Sequence, residues 1–269
     1  MKVYVIITAP VQHERELCEL TLKTIRIGFP NATLMIVGNQ GYMPHRREID
    51  ALEAMVSRDN GSHPQVLQNI LVENTRNDEP LVLVDGDVIF HKQMEDFNLH
   101  SILTGDLIPS FKSPWSDSFT FERLHTSLLY VRSGSELVEE LSYGGPRAAY
   151  EKWTKDYFNT CPIFPCLTYY KGKPLYHETM SLAYHRIGGT EFGAYELDCF
   201  DHVNSVSFAR IMTKLLPPGK KIPFLELHKT VLDNINQLHK LKGIGQTAKG
   251  FYEDNRISLY DYLHSSPTQ

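Results

Sequence analysis

The sequence predicts an α/β fold: one central, mostly parallel sheet with helices on both faces. Three observations lead there. Apolar runs rich in β-branched residues stand at 3–7, 33–37 and 81–84, the composition of strands buried on both faces. Stretches with helical periodicity separate them, and strands joined through helices return in parallel to the same sheet. Each run ends in residues that break regular structure. By length, 269 residues make one large domain or two small ones, and a single domain over 1–269 is expected.

Residues 3–7 open the chain as the first strand, and Pro10 breaks it. A helix is expected over 13–28: Cys18, Leu22 and Ile25 share one face with charges between them, and Gly28 followed by Pro30 stops it. The second strand, 33–37, ends in Gly38-Asn39. Ile49, Leu52 and Val56 recur at helical spacing and predict a helix over 47–57. Another starts near Pro64, carries Leu67, Ile70 and Leu71, and ends at Asn77-Asp78-Glu79-Pro80. Residues 81–84 are then the third buried strand, running straight into Asp85-Gly86-Asp87. Ligands of such sheets gather beyond the carboxyl ends of the strands, so residues 8–15, 38–41 and 85–87 share that edge.

The second half is less regular. Residues 128–131 read as a strand, and Ser133-Gly134-Ser135-Glu136 is a capping box opening a helix to about 141. Segment 142–176 carries Gly144-Gly145-Pro146, three further prolines and many aromatics, the marks of an insertion or lid with one short helix. A helix is expected to begin near Glu178, strands around 192–208 and 222–227, and a helix over roughly 229–241.

Hydrophobic residues at 42% and charged residues at 22% exclude disordered and collagen-like classes. A net charge of −5 gives no general attraction to nucleic acid or an anionic membrane. The charge is uneven, however. Between 210 and 249 eight Lys or Arg stand against Glu226 and Asp233, a local +6 that leaves −11 elsewhere, and an anionic ligand is expected to meet that stretch. Cys18, Cys161, Cys166 and Cys199 are scattered, with no CxxC pair, which argues against a disulfide scaffold or structural zinc and for a reducing compartment. The apolar start is too short for a signal peptide, and no stretch nears the ~18 apolar residues of a membrane span. A cytoplasmic protein without a span is therefore expected.

The sharpest feature is Asp85-Gly86-Asp87. Two carboxylates two residues apart at the end of a buried strand lie on one edge, where a divalent cation can bridge them to phosphate oxygens. The same tripeptide is ordinary turn chemistry for a chain leaving a strand. Its place after a four-residue apolar strand and before Val88-Ile89-Phe90 favours the cation.

On these residues the chain resembles the GT-A class of nucleotide-sugar-dependent glycosyltransferases, and distantly its glycogenin-like branch. Their DxD motif is similar to Leu83-Val84-Asp85-Gly86-Asp87-Val88. Thr8-Ala9-Pro10 with Arg15 is similar to the Thr-x-Pro...Arg that begins several such enzymes and contacts the nucleotide. Leu128-Leu129-Tyr130-Val131-Arg132 is similar to the strand after DxD in the glycogenin-like branch, which usually shows Asn-x-Gly where this chain has His125-Thr126-Ser127. The resemblance covers about residues 1–131 in order of elements. It implies a GT-A-like, Rossmann-type catalytic domain with a nucleotide-binding half (1–131) and an acceptor-binding half (132–269), the latter with the lid 142–176 and the basic segment 210–249.

The implied activity is transfer of a hexosyl or pentosyl group from a UDP- or GDP-sugar to an unidentified acceptor, with Mn²⁺ or Mg²⁺ as cofactor. Nucleic acid enters only as an acceptor. Thr8, Ala9, Pro10, Arg15, Asn39, Asp85, Gly86, Asp87, Lys242 and Lys249 are expected to hold the nucleotide-sugar. Asp87 is expected on the metal directly, and Asp85 on the metal or on the donor ribose and metal waters. The branch takes a third ligand from a C-terminal histidine followed by glycine and lysine. His239-Lys240-Leu241-Lys242-Gly243 is similar, at longer spacing and without the Pro-Trp that follows the lysine. His202, beside Asp201, is the alternative ligand and His228 a weaker one. Read alone, His239 is a residue on an exposed helix end next to two lysines.

Glu178, Asp198 and Asp201 are the candidate general bases of an inverting enzyme; a retaining enzyme needs none in that role. Glu178 at a helix start also reads as ordinary compensation of the helix dipole. Trp115 suits either stacking on a ligand or anchoring in the core. Three other functions compete. A haloacid-dehalogenase-type phosphatase wants Thr or Val where Ile89 stands and opens its fold with the motif. A nucleotidyltransferase wants a Gly-rich basic loop where this chain has Thr8-Ala9-Pro10-Val11. A non-catalytic nucleotide-sugar-binding module would bind the donor and hydrolyse none.

Overall fold

The computed structural model describes residues 1–8, 12–39, 43–61, 63–77, 79–94, 102–104, 107–108, 110–112, 119–124, 126–132, 159–160, 167–170, 172–176, 192–194, 199–202 and 257–265. The first part of the chain alternates strand and helix: β1 (Lys2–Thr8), α1 (Gln12–Gly28), β2 (Thr33–Asn39), α2 (Arg46–Leu52), β3 (Met55–Asp59), α3 (His63–Asn77) and β4 (Leu81–Asp85). Short strands follow: β5 (Val88–Phe90), β6 (Ile102–Thr104), β7 (Leu107–Ile108), β8 (Phe111–Lys112), β9 (Phe119–Thr120), β10 (Arg123–Leu124) and β11 (Leu128–Val131). Then come β12 (Asn159–Thr160), β13 (Leu167–Tyr170), β14 (Lys173–Tyr176), β15 (Phe192–Ala194), β16 (Phe200–His202) and α4 (Leu259–His264).

The main sheet has seven strands in the order β15-β6-β11-β4-β1-β2-β3. It is parallel except for β11, which runs antiparallel to both β4 and β6. Alternation along β1 shows why the apolar runs are continuous. Val3, Val5 and Ile7 pack with Cys18, Leu22 and Ile25 of α1 on one face. Tyr4 and Ile6 pack with Val66, Leu67, Ile70 and Leu71 of α3 on the other. A strand buried twice has no solvent side on which to place polar residues, and the predicted α/β sheet with helices on both faces is the observed one.

One element departs from the sequence expectation. The segment 47–57 is not one helix: α2 ends at Leu52, and β3 begins at Met55 and pairs in parallel with β2, Met35 opposite Met55 and Asn39 opposite Asp59. Glu53 makes the break with φ 53°. Its N–H reaches the Asp50 carbonyl, and the Ala54 N–H reaches that of Ile49, the paired bonds that close a helix through a left-handed residue. Val56, placed by its spacing on the helix, lies instead on an edge strand and is exposed. Asp85-Gly86-Asp87 therefore follows the fourth strand.

The order β3-β2-β1-β4 puts a reversal between β1 and β4, and in open α/β sheets the crevice at such a reversal, beyond the carboxyl ends, is the ligand site. A second sheet, β12-β13-β14-β9-β8, takes in part of segment 142–176. Its core of Phe119, Phe121 and Leu175 is closed by Tyr262 of α4. Lys173 Nζ donates to the Tyr262 and Ser265 carbonyls, satisfying acceptors that a helix C-terminus leaves open. The helices expected at 133–141, near 178 and at 229–241, and the strand at 222–227, lie outside the described residues. No described helix is long and apolar enough to cross a membrane.

Candidate functional site

The site is built on the turn between β4 and β5. Asp85 closes β4, its N–H donating to the Ser127 carbonyl at 2.8 Å, and Gly86-Asp87 leads into β5. Helix α1 supports the turn from beneath: Thr21 Oγ1 donates to the Gly86 carbonyl at 2.8 Å. A Cβ on Gly86 would stand 3.0 Å from Cys18 Sγ. The turn thus rests on the helix closely enough that a side chain at position 86 displaces one or the other.

Each carboxylate faces an imidazole. His202 lies opposite Val88 in the antiparallel β5–β16 pair, which puts its Nε2 3.5 Å from Asp87 Oδ1. Both side chains are largely buried. His63, the first residue of α3, has Nε2 3.0 Å from Asp85 Oδ1. Burial disfavours the charged His63 ring, but the Asp85 charge, its hydrogen bond and the charge of Asp87 more than offset this. The pKa is raised above the ordinary imidazole value.

His63 reaches this place through the β3–α3 turn. Asn39, the last residue of β2, is fully buried, and its Nδ2 donates to the carbonyls of Asp59 and Gly61, both at 2.7 Å. The Gly61 N–H donates to Asp59 Oδ1, and Asn69 Nδ2 donates to Asp59 Oδ2. Asn39 Oδ1 is buried with no hydrogen-bond partner among the described residues. It therefore keeps an acceptor at the same strand edge, beside the end of β1.

The expected site residues divide accordingly. Asp85, Gly86, Asp87 and Asn39 meet at the carboxyl edge, and Thr8, opposite Asn39 in the register of β1 with β2, ends there too. Arg15 lies in the first turn of α1. Asp201 sits in β16 opposite Ile89. Ala9, Pro10, Trp115, Glu178, Asp198, His228, His239, Lys242 and Lys249 lie outside the described residues. Sequence reasoning missed His63, and the missing strand explains why. With 47–57 read as a helix, only the short link from α3 into β4 placed the start of α3 at the ligand edge; a parallel strand before it does so directly.

Among the described residues no three His, Cys, Asp or Glu side chains already converge as a cation site. The donor set nonetheless suits a hard divalent cation. Two neighbouring ligands on an octahedral ion with bonds of about 2.1 Å stand roughly 3 Å apart, so the 3.5 Å between Asp87 Oδ1 and His202 Nε2 would have to shorten for both to hold one ion. Carboxylate oxygen with imidazole nitrogen is a combination Mn²⁺ accepts.

No family model and no curated protein matches this sequence. Among solved structures the chain is similar to one from Desulfovibrio desulfuricans G20, named as a candidate nucleotide-diphospho-sugar transferase. The match has a TM-score of 0.35 at 12% identity and covers 51% of this chain and 66% of that one. A likeness at that level assigns no residue and no activity to this chain.

Proposed function

We propose that the chain is a metal-dependent glycosyltransferase that moves a sugar from a UDP- or GDP-sugar to an acceptor. The observation that carries the reading is the pair Asp85 and Asp87 at the reversal of strand order, each against an imidazole. Departure of a nucleoside diphosphate builds negative charge on its phosphate oxygens, and Mn²⁺ or Mg²⁺, when bound, neutralises that charge. In this reading Asp87 and His202 would hold the cation.

His202 is preferred to His239 as the imidazole ligand because its Nε2 is already beside Asp87. Asp85 faces the donor, and Gly86 lets the turn pack closely on α1. Thr8, Ala9, Pro10 and Arg15 are assigned to the nucleoside. Asn39 Oδ1 offers an acceptor for an N–H or O–H of the base or ribose, a buried group that costs stability while it stays unmatched. Lys242 and Lys249, in the basic stretch, are assigned to the diphosphate. Asp201, Asp198 and Glu178 are the candidates for deprotonating the acceptor. The scattered cysteines support a cytoplasmic setting.

A panel of UDP- and GDP-sugars, scored by thermal shift with and without Mn²⁺ and followed by turnover, tests the reading. At a hundredfold excess over Kd a ligand adds about 2.7 kcal/mol to folding, so a metal-dependent rise in Tm with at least one donor is the expected result. No metal-dependent shift with any donor overturns it. A shift without transfer or hydrolysis in the presence of any acceptor makes the chain a binding module instead.

A further inference from the structure

His63 belongs to none of the sequence motifs, yet it holds one of the two carboxylates on which the site is built. Its position is fixed from behind. Asn39 ties the Asp59 and Gly61 carbonyls to the end of β2, and Asp59 is held in turn by the Gly61 N–H and Asn69. The turn entering α3 is therefore braced on both sides, and the imidazole it delivers meets Asp85 Oδ1 at 3.0 Å.

Asp85 and Asp87 leave the same strand end. If both carboxylates were free, they would close together on one cation, because two acidic ligands neutralise a divalent ion better than one. An oxygen that accepts an N–H has less electron density to give a metal, and the bond ties the direction of the carboxylate to the imidazole. We propose that His63 is a positioning residue that holds Asp85 back from the cation, so that Asp85 stays aimed at the donor while Asp87 and His202 take the metal. The inference rests on the glycosyltransferase reading for the meaning of the donor, but not for the competition between imidazole and cation.

The test is calorimetric titration of Mn²⁺ alone into the nucleotide-free protein, paired with donor kcat/KM. Breaking a hydrogen bond to a charged group releases Asp85 to chelate, so His63→Ala is expected to tighten bare Mn²⁺ binding about fivefold. The same variant is expected to lower donor kcat/KM by about tenfold or more. A merely destabilised protein would lose both. His63→Phe, which keeps ring volume and removes the donor, is expected to match His63→Ala and decides the matter if the alanine variant does not fold. His63→Gln, which keeps an N–H toward Asp85, is expected to recover most of both values. In an Asp85→Asn background His63→Ala is expected to change neither.

Mn²⁺ binding weakened by His63→Ala would make His63 a ligand, or the partner that orients Asp85 as one, and either overturns the proposal. Binding that is unchanged, or undetectable in wild type and variant alike, also overturns it. A wild type that takes up Mn²⁺ but no nucleoside diphosphate overturns the glycosyltransferase reading, while the comparison of the His63 variants still decides what His63 does.

Discussion

Asp87 and Asn differ by a charge and hardly at all in volume, and the turn that carries Asp87 is also held by the bond from Thr21 Oγ1 to the Gly86 carbonyl. Asp87→Asn weakens the contact with largely buried His202 and is expected to cost about 0.5–3 kcal/mol of stability while keeping the fold, and metal-dependent transfer falls below detection. Turnover equal to wild type in Mn²⁺ would refute the assignment. His63 gives a second prediction at this scale. Its pKa is raised in the folded protein, so the folded state binds more protons than the unfolded one above the ordinary imidazole value of about 6.5. The stability this contributes is fully present below that pH and lost as pH rises through the higher folded value. In the metal-free protein, the Tm advantage of wild type over His63→Gln is expected to be largest near pH 6 and to shrink at alkaline pH. A difference that grows with pH would show that the ring is held neutral.

At the scale of elements, the junction of α2 and β3 shows what the sequence displays and what it hides. A helix that closes through a left-handed residue usually advertises the fact with Gly or Asn; here Glu53 occupies the position, and the apolar spacing runs past the break to Val56 without a visible stop. The exposed edge strand that follows lacks the continuous apolar run that made β1, β2 and β4 legible. Losing β3 also concealed His63, because a strand leading into α3 is the direct sign that the start of that helix lies at the ligand edge. The strain at Glu53 is itself testable. A non-glycine residue in the left-handed region costs roughly 1–2 kcal/mol, part of which glycine returns through its freer unfolded chain. Glu53→Gly is expected to raise unfolding stability by about 0.5–1 kcal/mol in urea melts, and a loss would show that the Glu53 side chain stabilises the turn. Gly28 behaves oppositely. A Cβ there would lie 2.5 Å from the ring of Phe90, which is fully buried and meets Phe29 edge-on at 5.2 Å. Gly28→Ala is expected to cost about 1–3 kcal/mol by overpacking, read as a fall in the same midpoint.

On the scale of the whole molecule, the parts legible in the sequence are those where burial on two faces leaves only apolar residues, and the carboxyl edge follows from them by topology. The reversal between β1 and β4 concentrates Thr8, Asn39, Asp85, Asp87, His63 and the starts of α1, α2 and α3 at one end of the sheet. The other end, with Met1, Thr33 and Glu79, carries the bond from the Thr33 N–H to the Met1 carbonyl and the Lys2–Glu79 ion pair but none of these acidic or imidazole groups. A ligand bound at the carboxyl edge resists only those openings that dismantle its site, so its effect on amide exchange is local unless the whole domain must unfold. UDP or GDP with Mn²⁺ is expected to slow exchange by about tenfold or more at 38–39, 63–66 and 85–88, since saturating ligand adds more than 1.4 kcal/mol to each such opening. Amides at 31–34 and in α4 that exchange by local opening are expected to stay unchanged. Omitting the metal should cut the protection at 85–88 most, because those amides flank the carboxylates, and leave more of it at 38–39, where the nucleoside alone has a partner in Asn39 Oδ1. Protection confined to 159–176 would move the ligand to the second sheet and leave the Asp85–Asp87 turn as a structural feature of the strand end.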